Sequence, residues 1–267
     1  MPIKRLFWTN IRVELLDNIY EFHNCLRYGK LELFSKVEIE TTSQCNRRCR
    51  YCPNSVFNRG NNLMKINVFY KIIRELKDIH YSGHIYPHFY GEPLLDKRLP
   101  HLVSYTKKNL PRSWIRIYTN GDFLTNQLFS TLIRAGVNEF YITGHSGYLP
   151  EHIKKLINTK QGKQVIRFFT IDQSKVPLFN RGGLVKPNKQ ILMKKCNLAS
   201  NHLQIDFQGN IILCCNDYLS SIKFGNVAKE KIVDIWRKDE FRGIREETKN
   251  GIFRLDICKH CTLRIQS

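Results

Sequence analysis

Two hydrophobic rhythms alternate along the chain. Stretches rich in β-branched and aromatic residues predict strands: "KVEIETT" (36–42), "HIYPHFY" (84–90), "WIRIYTN" (114–120), "VNEFYIT" (137–143) and "QVIRFFTI" (164–171). Between them lie stretches with apolar residues at helical spacing: "INVFYKIIRELKDIH" (66–80), "LDKRLPHLVSYTKKN" (95–109), "TNQLFSTLIRAG" (125–136) and residues 150–160. Gly136 stands where the third of these helices should stop. Pro87 weakens the second strand, and Pro100 predicts an irregularity in the second helix. A repeating strand–helix order predicts parallel strands joined by right-handed crossovers. Five strands are clear by residue 171, and a sixth is expected within 176–206. That is too few for a closed eight-stranded barrel. The expected fold class is α/β, a partial (β/α)6 barrel followed by a small α+β region.

The flanks read differently. Residues 1–35 predict a helical leader of mixed charge. In the C-terminal region "LQIDFQGNIILCC" (203–215) predicts two short strands around a Gly-Asn turn, and "KIVDIWRKDEFRGIREET" (231–248) predicts a helix. The division expected is therefore a leader over 1–35, a barrel over 36–190 and a smaller domain over 191–267. No run of about 18 apolar residues suggests a membrane span, so no membrane partner is expected. The first residues lack the unbroken apolar stretch and cleavage site of a secretory signal, so a cytoplasmic, reducing setting is expected.

Charge changes the picture somewhat. The formal net charge is +20, and residues 141–200 hold eleven Lys or Arg against only Glu151 and Asp172. Such a surface suits an anionic or phosphorylated small molecule, nucleic acid, or plain solvation. Arg167 beside Phe168 and Phe169 could stack bases, although a strand core is the simpler use of those rings. Nucleic acid is not the expected partner.

Cysteine placement changes it more. Nine cysteines are unusual in a reducing compartment if they serve only as disulfides. Cys25 stands alone and suits a small buried hydrophobe. The other eight fall into two groups, Cys45, Cys49 and Cys52, and then Cys196, Cys214, Cys215, Cys258 and Cys261. Two groups suggest two metal sites. The first sits directly after the first strand, the end where parallel α/β folds place their chemistry. Its spacing is Cys-x3-Cys-x2-Cys, one thiolate short of a closed tetrahedral site. It could be part of a zinc site. It could equally hold three irons of a cubane and leave the fourth open to a small molecule.

The trio, with Tyr51 just before its last cysteine, resembles the signature of the radical S-adenosylmethionine (SAM) superfamily. "YGEPLL" (90–95) and "YTNG" (118–121) resemble that family's next two motifs, in order and at strand ends. The resemblance implies that Cys45, Cys49 and Cys52 bind a [4Fe–4S] cluster whose open iron chelates SAM. It implies that Gly91, Glu92 and Pro93 receive the methionine amino group, that Tyr51 lies near the adenine, and that Asn120 contacts SAM. Thr143 and Ser146, in the unusual "ITGHSG" (142–147), are candidates for the ribose or carboxylate. Reductive cleavage of SAM to a 5′-deoxyadenosyl radical is the implied activity. A donor such as flavodoxin or ferredoxin is implied with it.

The second group resembles the shortened form of the SPASM extension. The resemblance implies one auxiliary [4Fe–4S] cluster on Cys196, Cys214, Cys258 and Cys261, with Cys214 preferred to Cys215 from its distance to Gly209. Four thiolates also suit a zinc ion. One auxiliary cluster in a compact chain resembles the family's 2-deoxy-scyllo-inosamine dehydrogenases. This implies oxidation or epimerisation of a saccharide or cyclitol, with the auxiliary cluster as electron relay. Arg181 in "FNRGG" (179–183) is a candidate for gripping a hydroxyl, carboxylate or phosphate, since a guanidinium is a fixed fork of donors; a surface salt bridge or turn is its plainer use. Peptide maturation and RNA modification are the alternative activities.

Overall fold

The computed structural model describes residues 33–172, 180–186 and 193–262. One sheet runs through them. Its parallel strands are β1 (Lys36–Ile39), β2 (His84–Tyr86), β3 (Trp114–Thr119), β4 (Glu139–Gly144), β5 (Ile166–Thr170) and β6 (His202–Ile205). β7 (Asn210–Ile212) and β8 (Lys223–Asn226) continue it antiparallel. The order is β5-β4-β3-β2-β1-β6-β7-β8. The sixth parallel strand thus lies beside β1, at the far side from β5, and its register sets Glu38 against Gln204. The Gly209 turn between β6 and β7 adopts φ 85°, open to glycine at little cost.

Among the described residues, the helices of the barrel half pack against one face of the sheet. They are α1 (Ile66–Asp78), α2 (Leu99–Asn109), α3 (Asn126–Ala135), α4 (Glu151–Asn158) and α5 (Lys160–Val165) in the barrel half. After it come α6 (Leu198–Asn201), α7 (Ile232–Trp236), α8 (Asp239–Lys249) and α9 (Asp256–Cys261). α3 is bounded as its sequence suggests: the Thr125 hydroxyl accepts from the Leu128 amide at 3.1 Å, and Gly136 closes the helix at φ 112°. Val37, Ile39, Ile85, Leu203 and Ile205 bury against α1 in one apolar cluster, and Ile115, Ile117, Phe140 and Ile142 pack with α2 to α4 in a second.

Side chains alternate across a strand, so the other face carries the residues between. There stand Glu38 and Glu40, His84 and Tyr86, Arg116 and Tyr118, Glu139, Tyr141 and Thr143, then His202 and Gln204. A parallel sheet is usually apolar on both faces. Here the inner face is polar, and it looks toward the ends where the cysteines lie.

Several sequence expectations change in detail. β2 stops before Pro87, whose missing amide cannot extend the ladder, so "HIYPHFY" yields three strand residues. Pro100 is no irregularity: it occupies the first turn of α2, where no amide is needed. "KIVDIWRKDEFRGIREET" forms two helices, α7 and α8. Arg245 explains the break, since its guanidinium bonds the Trp236 carbonyl at 2.8 Å and stacks 3.9 Å from the Trp236 ring. Phe168 and Phe169 remain 50% and 39% exposed instead of filling a core. They sit on β5, which pairs with β4 alone among the described strands. Of the leader, only residues 33–35 are described, and these run non-helically into β1 with Leu33 and Phe34 buried. Cys25 and the division near residue 190 lie outside the described residues.

Candidate active site

The three-cysteine loop leaves the C-terminal end of β1 and returns through a short 3-10 turn, Pro53–Ser55. Cys49 is buried, and Cys45 and Cys52 are partly so. The Cys52 amide donates to the Cys49 carbonyl at 2.8 Å, which tightens the loop around its own thiols. Burial raises all three thiols, Cys52 to about 11, so as free side chains they keep their protons. A bound metal would displace those protons.

The next two loops are stitched to the first. A Cβ on Gly91 would collide with the Thr42 carbonyl, so only glycine permits this approach. The Glu92 amide then donates to the Gln44 carbonyl at 2.7 Å. The Glu92 carboxylate is fully buried and accepts from Thr119 Oγ1 at 2.6 Å, the Asn120 amide at 2.9 Å and the Leu94 amide at 3.2 Å. Burial pushes this carboxyl up to about 7. The side chain therefore joins the β2 and β3 loops, and Pro93 follows it as the start of a 3-10 turn. Asn120 donates from Nδ2 to Asn46 Oδ1 at 2.8 Å.

Residues that the sequence did not single out complete the frame. Arg47 grips Asp122 with two bonds, 2.7 Å from Nε and 2.6 Å from Nη2, and Asn46 donates to the same carboxylate at 2.7 Å. Arg47 Nη1 also reaches Ser146 Oγ at 3.3 Å. The Tyr51 hydroxyl bonds His145 Nδ1. Burial, helped by Arg47, lowers His145 to about 4, so this imidazole is neutral near pH 7. Thr143 lies on the inner face of β4, partly exposed, and Ser146 is exposed at the rim. The "GHS" departure from the family pattern was the one available signal for His145. Arg47 and Asp122 were invisible because 75 residues separate them.

The second cysteine group assembles from three places. Cys196 precedes α6, Cys214 and Cys215 follow β7, and Cys258 and Cys261 lie on α9. Cys196, Cys214, Cys258 and Cys261 interact electrostatically as a set, and Asn216 Nδ2 donates to Cys261 Sγ at 3.2 Å. Burial raises Cys258 to about 12. Cys214 packs with Cys258 against the apolar core, and Cys215 interacts with Glu38 and Arg181 as well as with Cys196 and Cys261. Among the described residues no three His, Cys, Asp or Glu side chains gather closely enough to hold a single metal ion. Both groups are all-thiolate, a donor set that suits an iron–sulfur cluster.

Arg181 stands between the groups. It interacts with Tyr90, Cys215, Cys52 and Cys261, and burial works against its charge without neutralising it. Its Nη1 reaches Asn216 Oδ1 at 3.3 Å, while its buried Nε has no partner. The backbone there is left-handed, at φ 50°. Two phenols fix the C-terminal residues to the barrel: Tyr90 donates to the Cys215 carbonyl at 2.9 Å, and Tyr218 donates to Asn54 Oδ1 at 2.8 Å. Arg181 thus links the cysteine trio, through Cys52, to the second cysteine group, through Cys215 and Cys261.

Known proteins share this layout. The model of the Radical SAM superfamily matches residues 39–170, and that of the SPASM iron–sulfur cluster-binding domain matches residues 196–262. The chain is 36% identical over 234 residues to the S-adenosyl-L-methionine-dependent 2-deoxy-scyllo-inosamine dehydrogenase of Niallia circulans, covering 86% of this chain and 93% of the relative. The crystal structure of BtrN in complex with AdoMet and 2-DOIA superposes with a TM-score of 0.79 at 35% identity, over 86% of this chain and 93% of that one. Streptococcus suis SuiB bound to its precursor peptide SuiA has a TM-score of 0.54 at 13% identity, over 92% and 80%, a likeness of fold alone.

Proposed function

The chain belongs to the radical SAM superfamily and ends in a SPASM iron–sulfur domain, and from that premise we propose that it oxidises a carbinol carbon of a cyclitol-type ring. Its cofactors are a [4Fe–4S] cluster, SAM and auxiliary iron–sulfur chemistry, and it is an oxidoreductase. Bound together, these groups supply a 5′-deoxyadenosyl radical that removes one hydrogen atom, and an acceptor for the one electron that follows as the carbinol proton is lost.

Residue roles follow on the same reading. Cys45, Cys49 and Cys52 hold the first cluster; Cys196, Cys214, Cys258 and Cys261 hold one auxiliary cluster. The network from Glu92 through Asn120, Asn46 and Asp122 to Arg47 fixes the cysteine loop before SAM arrives. Tyr51 and His145 lie where they can border the adenine, and Asn120, Thr143 and Ser146 remain the polar candidates for SAM. Residues 36–190 would build the radical site and 191–267 the auxiliary one, in a reducing, cytoplasmic setting with a small iron–sulfur or flavin donor.

The observation that carries the substrate reading is Arg181. A buried, charged guanidinium with an unpartnered Nε lies between the two thiolate groups. An unmade hydrogen bond there is costly, and an oxygen of a ring hydroxyl would satisfy it. The test is turnover. Oxygen-free reconstituted protein with SAM, a reductant and 2-deoxy-scyllo-inosamine should yield ketone and 5′-deoxyadenosine in equal amounts. SAM cleavage with no ketone from any cyclitol tried would reject the substrate class.

A further inference from the structure

The cysteine loop turns uncompensated positive charge toward solvent. Residues 41–64 contain Arg47, Arg48, Arg50 and Arg59 and not one Asp or Glu. Two of these arginines are spent within the fold, Arg47 on Asp122 and Arg59 on Glu40, the latter with bonds of 2.8 and 2.7 Å. Arg48 and Arg50 are both exposed, and they stand on either side of the buried Cys49. Arg48 has no carboxylate partner among the described residues.

Apolar side chains lie beside these charges. Val56 is 68% exposed and Leu219 is 50% exposed. Each adjoins a member of one ring pair: Phe57, next to Val56, packs on Tyr218, next to Leu219, with 6.2 Å between ring centroids. Arg48 interacts electrostatically with Tyr218 and with the Cys45 thiol, so it stands between that ring pair and the cysteine trio. The carboxylate closest in sequence to Leu219, Asp217, is buried and accepts from the Ser221 amide and hydroxyl and from the Ile222 amide. The surface so formed draws on both halves of the chain. It has an aliphatic centre and a cationic rim, the anatomy of a protein–protein contact.

We propose that Arg48, Arg50, Val56 and Leu219 form the docking face for a small acidic protein that carries single electrons. This rests on the radical SAM reading above and names the partner of its first cluster. Each SAM cleaved there consumes one electron, and the docked carrier is oxidised by one. Cys49 is buried, so a carrier does not touch the thiols directly. The arginines adjoining it in the chain hold a partner within one or two residues of them, at about 3.8 Å per residue. Opposite charge also steers the encounter. Nucleic acid fits this face less well. Phosphate backbones are held by rows of cations and bases by exposed aromatic rings, whereas here two cations flank two aliphatic side chains.

Reduction kinetics test the face. Reconstituted, SAM-loaded protein is mixed with flavodoxin hydroquinone, and the loss of cluster absorbance is followed. The wild-type rate should fall at least tenfold as salt rises from about 50 to about 500 mM. Arg48→Glu with Arg50→Glu should slow reduction tenfold or more at low salt, and Val56→Asp with Leu219→Asp should weaken flavodoxin binding by a similar factor. Reduced methyl viologen, a small cation that needs no docking face, should reduce every variant at least as fast as wild type. Lys160→Glu with Lys163→Glu, on the exposed side of α5, changes the net charge equally and should leave the flavodoxin rate within twofold. Equal slowing by the arginine and lysine pairs, or no slowing by the arginine pair, overturns the proposal. So does a single-stranded RNA that binds wild type more tightly than flavodoxin and is lost with the arginine pair. SAM cleavage by viologen-reduced wild type leaves the radical SAM reading standing in each of those cases, and its absence removes both.

Discussion

Arg181 combines three unfavourable features: a left-handed backbone without glycine, a buried charge and an unpartnered nitrogen. The left-handed backbone and the unpartnered nitrogen each cost about 1–3 kcal/mol and a buried charge costs several kcal/mol, a pattern that concentrates at functional sites. Arg181→Lys retains the charge but loses the planar fork. It should still cleave SAM under strong reductant while losing tenfold or more in ketone formation; full turnover would strip Arg181 of its role. Glu92 gives a pH signature. Its folded value of about 7 exceeds the 4.5 of an exposed carboxyl, so the folded chain binds this proton more tightly than the unfolded one. The group's contribution to stability is then fully present below about 4.5 and lost as pH rises through about 7. Urea unfolding of the metal-free chain should show wild type losing its advantage over Glu92→Gln across that window, and a constant difference would contradict it. Among single residues, the cysteine trio was legible because its pattern is local. The Arg47–Asp122 pair, the Tyr51–His145 bond and the Glu38–Gln204 pair join distant strands and loops, and local spacing carries no trace of them.

At the scale of elements, the cysteine loop is positioned by close backbone approach as much as by side chains. Gly91→Ala should push the β2 loop off the Thr42 carbonyl and break the Glu92 bond to Gln44. The expected outcome is a folded protein that retains less iron after reconstitution and shows a weakened spectral response to SAM. Retention of both at wild-type levels would show that the loops are not coupled in this way. Strand and helix order was readable because the 2-residue and 3.6-residue periods differ so clearly over 36–171. The break between α7 and α8 was not. It depends on Arg245 folding back over Trp236 and Phe241, a tertiary contact that overrides a continuous helical pattern. The polar half of each parallel strand was present in the sequence, at Glu38, Tyr86 and Arg116. Its meaning emerged only with the sheet, since nothing local distinguishes the wall of a site from a solvated face.

Across the whole molecule, the two cysteine groups share one scaffold. β6 pairs with β1, and the Ser35 hydroxyl bonds the Asn201 carbonyl across 166 residues of chain. A separation that long left the sixth strand's place unreadable, although its existence within 176–206 was expected. Tyr90 and Tyr218 then fix the residues after β7 to the radical site. Separate clusters on one rigid frame predict separable defects. Wild-type protein should carry about eight irons, and Cys258→Ala, by opening the auxiliary site, about four. That variant should still cleave SAM yet form little ketone; unchanged iron content would remove Cys258 from the auxiliary ligand set. The most direct test of the account follows one atom. With 2-deoxy-scyllo-inosamine deuterated at its carbinol carbons, the cyclitol reading predicts 5′-deoxyadenosine carrying one deuterium for each ketone formed. Ketone accompanied by unlabelled 5′-deoxyadenosine would contradict it.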